Sequence, residues 1–258
     1  MPLIPLPVAG RYDFERSTFR FRLFGDDLAS RWLDDGLHRV LRSGLAVRIT
    51  ADGVYAWGDP DAADVAELAH LLGAPFDVAA RAPGDRPPLL ADPFEMLATS
   101  VTAQQISLRA ACVMRNALIG RYGRRVSHDG LEWWAFPRQD DVRGGDLEGL
   151  KLSRSKIRSI LALADADLSG LDVLENDGVI ARLTELPGIG RWTAEWFLAR
   201  CLGRPDVVAA GDLGVRKAVA AWFSGDPIWP EDRVREAMAP FAEHANLATH
   251  YMLSPVGG

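Results

Sequence analysis

Apolar and polar positions change their rhythm along this chain. Phe14–Phe24, FERSTFRFRLF, ends in period-two alternation, with Phe19, Phe21 and Leu23 on one face and Arg20 and Arg22 on the other, which predicts a strand. Asp34–Thr50 contains DDG, an apolar stretch, SG and LAVRIT, the pattern of short paired strands, and Val54–Trp57 predicts another. Asp61–Leu72 has helical spacing, opened by Asp59-Pro60 and closed by Gly73. Residues 1–80 therefore predict an α+β unit. Residues 81–92, RAPGDRPPLLAD, are rich in proline and polar side chains and predict a linker. From 93 to 258 the pattern is helical throughout, over Phe94–Val101, Ile106–Tyr122, EGLKLSRSKIRSILALADA, Asp177–Leu186, Arg191–Leu202, Gly214–Trp222 and Pro230–Leu253, without a period-two run.

Composition narrows the class. A chain of 258 residues with 48% hydrophobic and 25% charged residues is ordinary for a globular protein and can bury a large core. No apolar run reaches membrane-spanning length, and no basic segment precedes the N-terminal apolar residues as a signal peptide would require. Cys112 and Cys201 stand alone, which excludes a disulfide framework, a four-cysteine zinc site and an iron–sulfur cluster. The expected location is the cytoplasm.

A net charge of −6 argues weakly against a nucleic-acid partner, but its distribution is uneven. Ser100–Arg125 holds Arg109, Arg115, Arg121, Arg124 and Arg125 with no acid, and KLSRSKIR holds Lys151, Arg154, Lys156 and Arg158 with none. Either patch alone reads as a solvated helix face.

The stretch Leu186–Trp196, LPGIGRWTAEW, joins two helical segments. Pro187 stops the first, while Gly188 and Gly190 permit dihedrals or close approaches that a side chain would block. Bare backbone N–H groups at a helix start make an anion site suited to a phosphate and needing little net positive charge. An ordinary loop between packed helices fits the turn equally well. Downstream, in VVAAGDLGVRK, Asp212 follows an apolar segment at the head of the next helix. It reads as an N-cap, or as a carboxylate placed to face positive charge on a substrate.

LPGIGRWTA followed by the aspartate of AAGDLGVRK, with DPFEMLATSVTAQQIS upstream, resembles the helix–hairpin–helix DNA glycosylases, most closely the 3-methyladenine DNA glycosylase II branch. The resemblance implies an antiparallel-sheet α+β domain before two helical subdomains with the active-site cleft between them. It implies excision of alkylated purines from double-stranded DNA, after the damaged nucleotide is flipped into a pocket. Asp212 matches the catalytic aspartate, stabilising the oxocarbenium-like sugar and positioning water. Trp192 stands where bifunctional members carry a Schiff-base lysine, which implies a monofunctional enzyme. Trp192 and Trp196 match pocket aromatics whose faces would attract a cationic purine. Either Gln104 or Gln105 matches the side chain inserted into the duplex. Gly188, Gly190, Arg191 and Arg109 match DNA contacts.

The C-terminal PFAEHANLATHYML lacks the arginine and tryptophans usual there, leaving Tyr251 or His250 to complete the pocket. No cofactor is expected beyond, at most, a monovalent cation at the hairpin when DNA is bound. A monomer acting on the nucleoid, without membrane contact, is the expectation. Competing classes are a glycosylase for oxidised or deaminated bases, a non-catalytic DNA-binding module and a helical scaffold.

Overall fold

A computed structural model describes residues 3–23, 26–34, 36–76 and 84–254. Phe24 of the predicted strand, Asp35 of the DDG turn, residues 81–83 of the predicted linker and 255–258 lie outside the described residues. The chain opens with a short strand, β1 (Leu3–Ile4). Two helical turns follow, α1 (Phe14–Ser17) and α2 (Arg20–Leu23), where a strand was expected. The Asp13 carboxylate accepts from Arg16 N–H at 3.0 Å and so satisfies the free end of α1. Local capping outweighs a period-two pattern only a few residues long.

The strands β2 (Ser30–Leu33), β3 (Gly36–Val40), β4 (Ala46–Thr50) and β5 (Gly53–Ala56) join β1 in an antiparallel sheet of order β1-β5-β4-β3-β2. Leu37, Val47, Ile49 and Val54 pack with Phe14 and with Leu68, Leu71 and Leu72, which come from α3 (Ala62–Leu71) and its end. Asp61 and Asp64 close a capping box at the start of α3.

The helical region comprises α4 (Pro93–Ala103), α5 (Leu108–Tyr122), α6 (Gln139–Val142), α7 (Arg154–Asp165), α8 (Asn176–Thr184), α9 (Arg191–Arg200), α10 (Leu213–Phe223), α11 (Glu231–Met238) and α12 (Ala245–Leu253). It is not helical throughout. A hairpin, β6 (Arg125–His128) and β7 (Leu131–Trp134), turns at Asp129-Gly130, both with positive φ. Its Trp133 stacks on His38 at 4.6 Å and packs with Val40 and Ala46, covering the other face of the first sheet. Strand β3 is buried along its whole length for that reason. The predicted Pro230–Leu253 helix is likewise broken, by a 3₁₀ segment over Ala239–His244 that contains Pro240 and Ala242 at φ 44°.

The predicted linker is a buried strap from Gly84 to Pro87, with Asp85 wholly enclosed. Leu90 N–H donates to Arg200 C=O at 2.9 Å and Arg86 N–H to Ser17 Oγ at 3.0 Å, so the strap stitches α9 to α1. Proline and glycine excluded a helix there without exposing the backbone. A buried ion network also joins the two regions: Glu95 takes both Arg39 and Arg115, and Arg115 Nε donates to Asp27. Burial alone would raise the Glu95 pKa, but the Arg39 and Arg115 guanidinium groups outweigh it and hold the carboxyl below its usual range.

Two apolar clusters fill the helical region. One includes Phe94, Leu97, Leu118, Ile160, Val179 and Phe197; the other includes Val215, Val219, Trp229, Val234 and Met238. Trp196 packs against both.

Candidate active site

The hairpin between α8 and α9 places Gly188 at φ +75°, where a Cβ would lie 2.1 Å from Ser159 Oγ. Gly188 is thus required by backbone and packing alike. Gly190 differs. It is the N-cap of α9 at φ −102°, ψ 177°, an extended conformation open to any residue, and a Cβ there meets nothing within 4 Å. No side chain caps α9 among the described residues, and its first bond runs from Ala194 N–H to Gly190 C=O. The N–H groups of Arg191, Trp192 and Thr193 therefore precede the helical ladder and face outward.

Gln104 is spent inside the protein. Its Nε2 donates to Gly188 C=O at 3.0 Å and to Thr193 Oγ1 at 3.2 Å, tying the end of α4 to the hairpin. A monovalent cation at the hairpin would have to share the Gly188 oxygen with this donor. Gln105, exposed and at φ 59°, stands at the apex of the turn between α4 and α5. Arg191 folds back onto Glu195 at 2.8 Å, a carboxylate it shares with Arg235. Arg109 is exposed on α5.

Much of the expected basic patch is structural. Arg115 is buried in the ion network, Arg121 donates to the carbonyls of Asp146 and Glu148, and Lys156 is buried with Nζ 2.8 Å from Thr102 C=O.

Asp212 begins α10. Its Oδ1 accepts from Val215 N–H at 3.0 Å, an N-cap bond. Its Oδ2 accepts from two indoles at once, Trp192 Nε1 at 2.9 Å and Trp196 Nε1 at 3.3 Å. One turn apart on α9, the two tryptophans fix the carboxylate from the side opposite the cap. Their role differs from the expectation of indole faces awaiting a cation, because both present N–H edges to Asp212. One face of Trp196 already carries a cation, the Arg200 guanidinium, 5.1 Å from the ring centroid.

All three groups line a cleft of about 470 Å³, with Phe19, Phe21, Met96, Leu108, Arg20, Arg200 and His250 also on its walls. This volume accommodates a purine. Its walls come from α2, α4, α5, α9, the start of α10 and the end of α12. Tyr251, expected in the pocket, turns its hydroxyl to Asp85 C=O at 3.2 Å, and burial raises its pKa to about 12. The neighbouring His250 lines the cleft instead. Arg20 and Arg200 escaped sequence reasoning, since nothing in a predicted strand or at a helix C-terminus marks a side chain as facing Asp212. A larger groove, about 900 Å³, lies between α3 and α6 with mixed charge and lacks Asp212 and both indoles. The described residues contain no group of three or more His, Cys, Asp or Glu arranged to hold a metal, and no helix long and apolar enough to cross a membrane.

No family profile matches the chain. The chain is similar to the solved 3-methyladenine DNA-glycosylase of Archaeoglobus fulgidus, at TM-score 0.84 and 26% identity over 98% of this chain and 97% of that one. A 3-methyladenine DNA glycosylase of Schizosaccharomyces pombe, solved with abasic DNA, is 32% identical at TM-score 0.51 and is covered over 79% of its length. The chain belongs to the helix–hairpin–helix DNA glycosylase superfamily. Within that superfamily, DNA-3-methyladenine glycosylase 1 of Schizosaccharomyces pombe is 36% identical over 135 residues. The chain spans about half of that curated relative, 55% of its length.

Proposed function

We propose that this glycosylase-family protein binds duplex DNA as a monomer, flips a damaged nucleotide into the Asp212 cleft and excises alkylated purines by hydrolysing the N-glycosidic bond. The observation that carries this reading is the Asp212 carboxylate. It is half-buried, clamped by two indoles and a helix start, and open to a cavity of purine size. Held so, it opposes the positive charge that develops on the sugar as the bond breaks, and it orients the water that adds to C1′. The α9 N-terminus supports a phosphate contact, with Gly190 giving unobstructed approach. Gln105 fits the residue that fills the gap left in the duplex, because Gln104 is already bound to the hairpin. The hairpin itself contains no lysine, which supports a monofunctional reaction that leaves an intact abasic site.

The test is single-turnover excision from duplexes carrying 3-methyladenine, 7-methylguanine, hypoxanthine or 8-oxoguanine. Excision of the alkylated purines is expected, and Asp212→Asn abolishes it while the variant still binds DNA. Near-normal rates in Asp212→Asn would refute the assignment.

A further inference from the structure

The cleft is richer in cations than its reaction with alkylated purines requires. Arg16, Arg20, Arg115 and Arg200 line it against the two carboxylates of Asp27 and Asp212. Arg115 is consumed by Asp27 and Glu95, and Arg16 lies 3.9 Å from Asp85. Arg20 has no hydrogen-bond partner among the described residues, and the charge that stabilises it is Asp212. Arg200 is 7% exposed; one Nη bonds Asn246 and Ala199 C=O, while its Nε and other Nη find no partner. Trp192, Trp196 and Arg200 lie at i, i+4 and i+8 on one face of α9, so Arg200 continues the row that clamps Asp212. His250, also on the wall, is buried without a hydrogen bond to either nitrogen, and burial with the Arg200, Arg20 and Arg16 charges keeps it neutral.

A buried guanidinium with unspent N–H groups costs free energy unless something accepts from it. The acceptor must come with the substrate. A cationic alkylated purine leaves as a neutral base: the glycosidic electron pair cancels its charge, and no donor is needed. A neutral damaged base departs carrying that pair as an anion on a ring nitrogen or carbonyl oxygen, and it takes a proton from solvent only afterwards. Guanidinium N–H groups stabilise such an anion without transferring a proton.

We propose that Arg20, with Arg200 behind it, holds the departing base by donating to its acceptor edge and sets the preference of this cleft toward damaged bases that leave as anions. The same two charges oppose entry of a cationic base, and the covered face of Trp196 offers it no compensating attraction. The inference rests on the glycosylase reading of the same site and assigns its substrate preference.

The experiment compares single-turnover excision of hypoxanthine, a neutral base, and 7-methylguanine, a cationic one, in otherwise identical duplexes. Wild type, Arg20→Gln and Arg20→Lys are each checked for cooperative melting. Arg20→Gln is expected to lower hypoxanthine excision about ten- to a hundredfold more than 7-methylguanine excision, the scale of one lost charge-assisted hydrogen bond. Arg20→Lys, which keeps the charge on a different donor geometry, falls between, and it carries the comparison if Arg20→Gln does not fold. Equal loss of both activities, or a larger loss for 7-methylguanine, overturns the inference and leaves the glycosylase reading standing. Wild-type excision of 7-methylguanine without any of hypoxanthine does the same. Excision of neither base overturns both.

Discussion

The two hairpin glycines separate a phosphate contact from a folding requirement. At Gly190 the backbone is extended and an added Cβ meets nothing within 4 Å. Gly190→Ala therefore introduces no clash. A weaker N-cap and a less flexible unfolded chain offset one another, leaving stability within about 1 kcal/mol of wild type. A methyl group there stands over the N–H groups that open α9, where a phosphate oxygen would have to approach. Loss of one charge-assisted backbone bond is worth about 1.5–3 kcal/mol, or roughly ten- to a hundredfold in Kd. Gly188→Ala must instead push Ser159 Oγ from 2.1 Å and hold φ at +75° with a side chain. We expect that change to destabilise the fold by about 2–3 kcal/mol, lowering Tm by roughly 5–10 °C. Paired titrations of lesion-bearing and undamaged duplexes, with thermal melts, measure both effects. Gly190→Ala should weaken binding to the two duplexes equally, because a phosphate contact carries no lesion information. Normal binding by a folded Gly190→Ala would refute the phosphate site.

Three further outcomes are expected. Trp192→Phe keeps the apolar surface but removes the shorter of the two indole bonds to Asp212, and should slow excision about tenfold with undamaged-DNA affinity kept; unchanged rates would show that the clamp is incidental. Glu95→Gln leaves two buried arginines short of a charge and should cost about 3–5 kcal/mol in denaturant unfolding. Because Glu95 and Asp27 have folded pKa values held below their unfolded ones, their stabilisation is present above the unfolded carboxylate range and fades as pH falls through the folded values; wild type should lose more stability on acidification than Glu95→Gln, as urea midpoints across pH 7 to 3 would show. Borohydride should trap no covalent adduct with damaged DNA, and a trapped species would contradict the monofunctional reaction.

Legibility followed the range of the forces involved. Helices α3 to α5 and α7 to α10 were readable because capping and 3.6-residue spacing are local. The β6–β7 hairpin was missed although Asp129-Gly130 is a strong turn signal between apolar residues. Its reason for existing is distant, since Trp133 closes the back of a sheet formed some 90 residues earlier in the chain. The Phe14–Phe24 pattern misled in the opposite sense, because one capping aspartate decided a segment too short for alternation to be decisive.

The candidate site divides the same way. Asp212 and the two tryptophans were found from motif spacing, yet their mutual bonding was not, because it depends on α10 beginning beside the first turns of α9. Asp212 is both a helix cap and a site carboxylate, readings that had looked like alternatives; one oxygen serves each. The cap bond fixes the carboxylate's plane and leaves Oδ2 to the indoles and the cleft. Arg20 reaches that cleft from the N-terminal region and Arg200 from the last turn of α9, so the charge facing Asp212 is assembled from segments 180 residues apart. Such a charge balance cannot be summed along a sequence. It also reverses the simplest inference from two tryptophans: the indoles hold the carboxylate, and recognition of the base falls to the donors opposite.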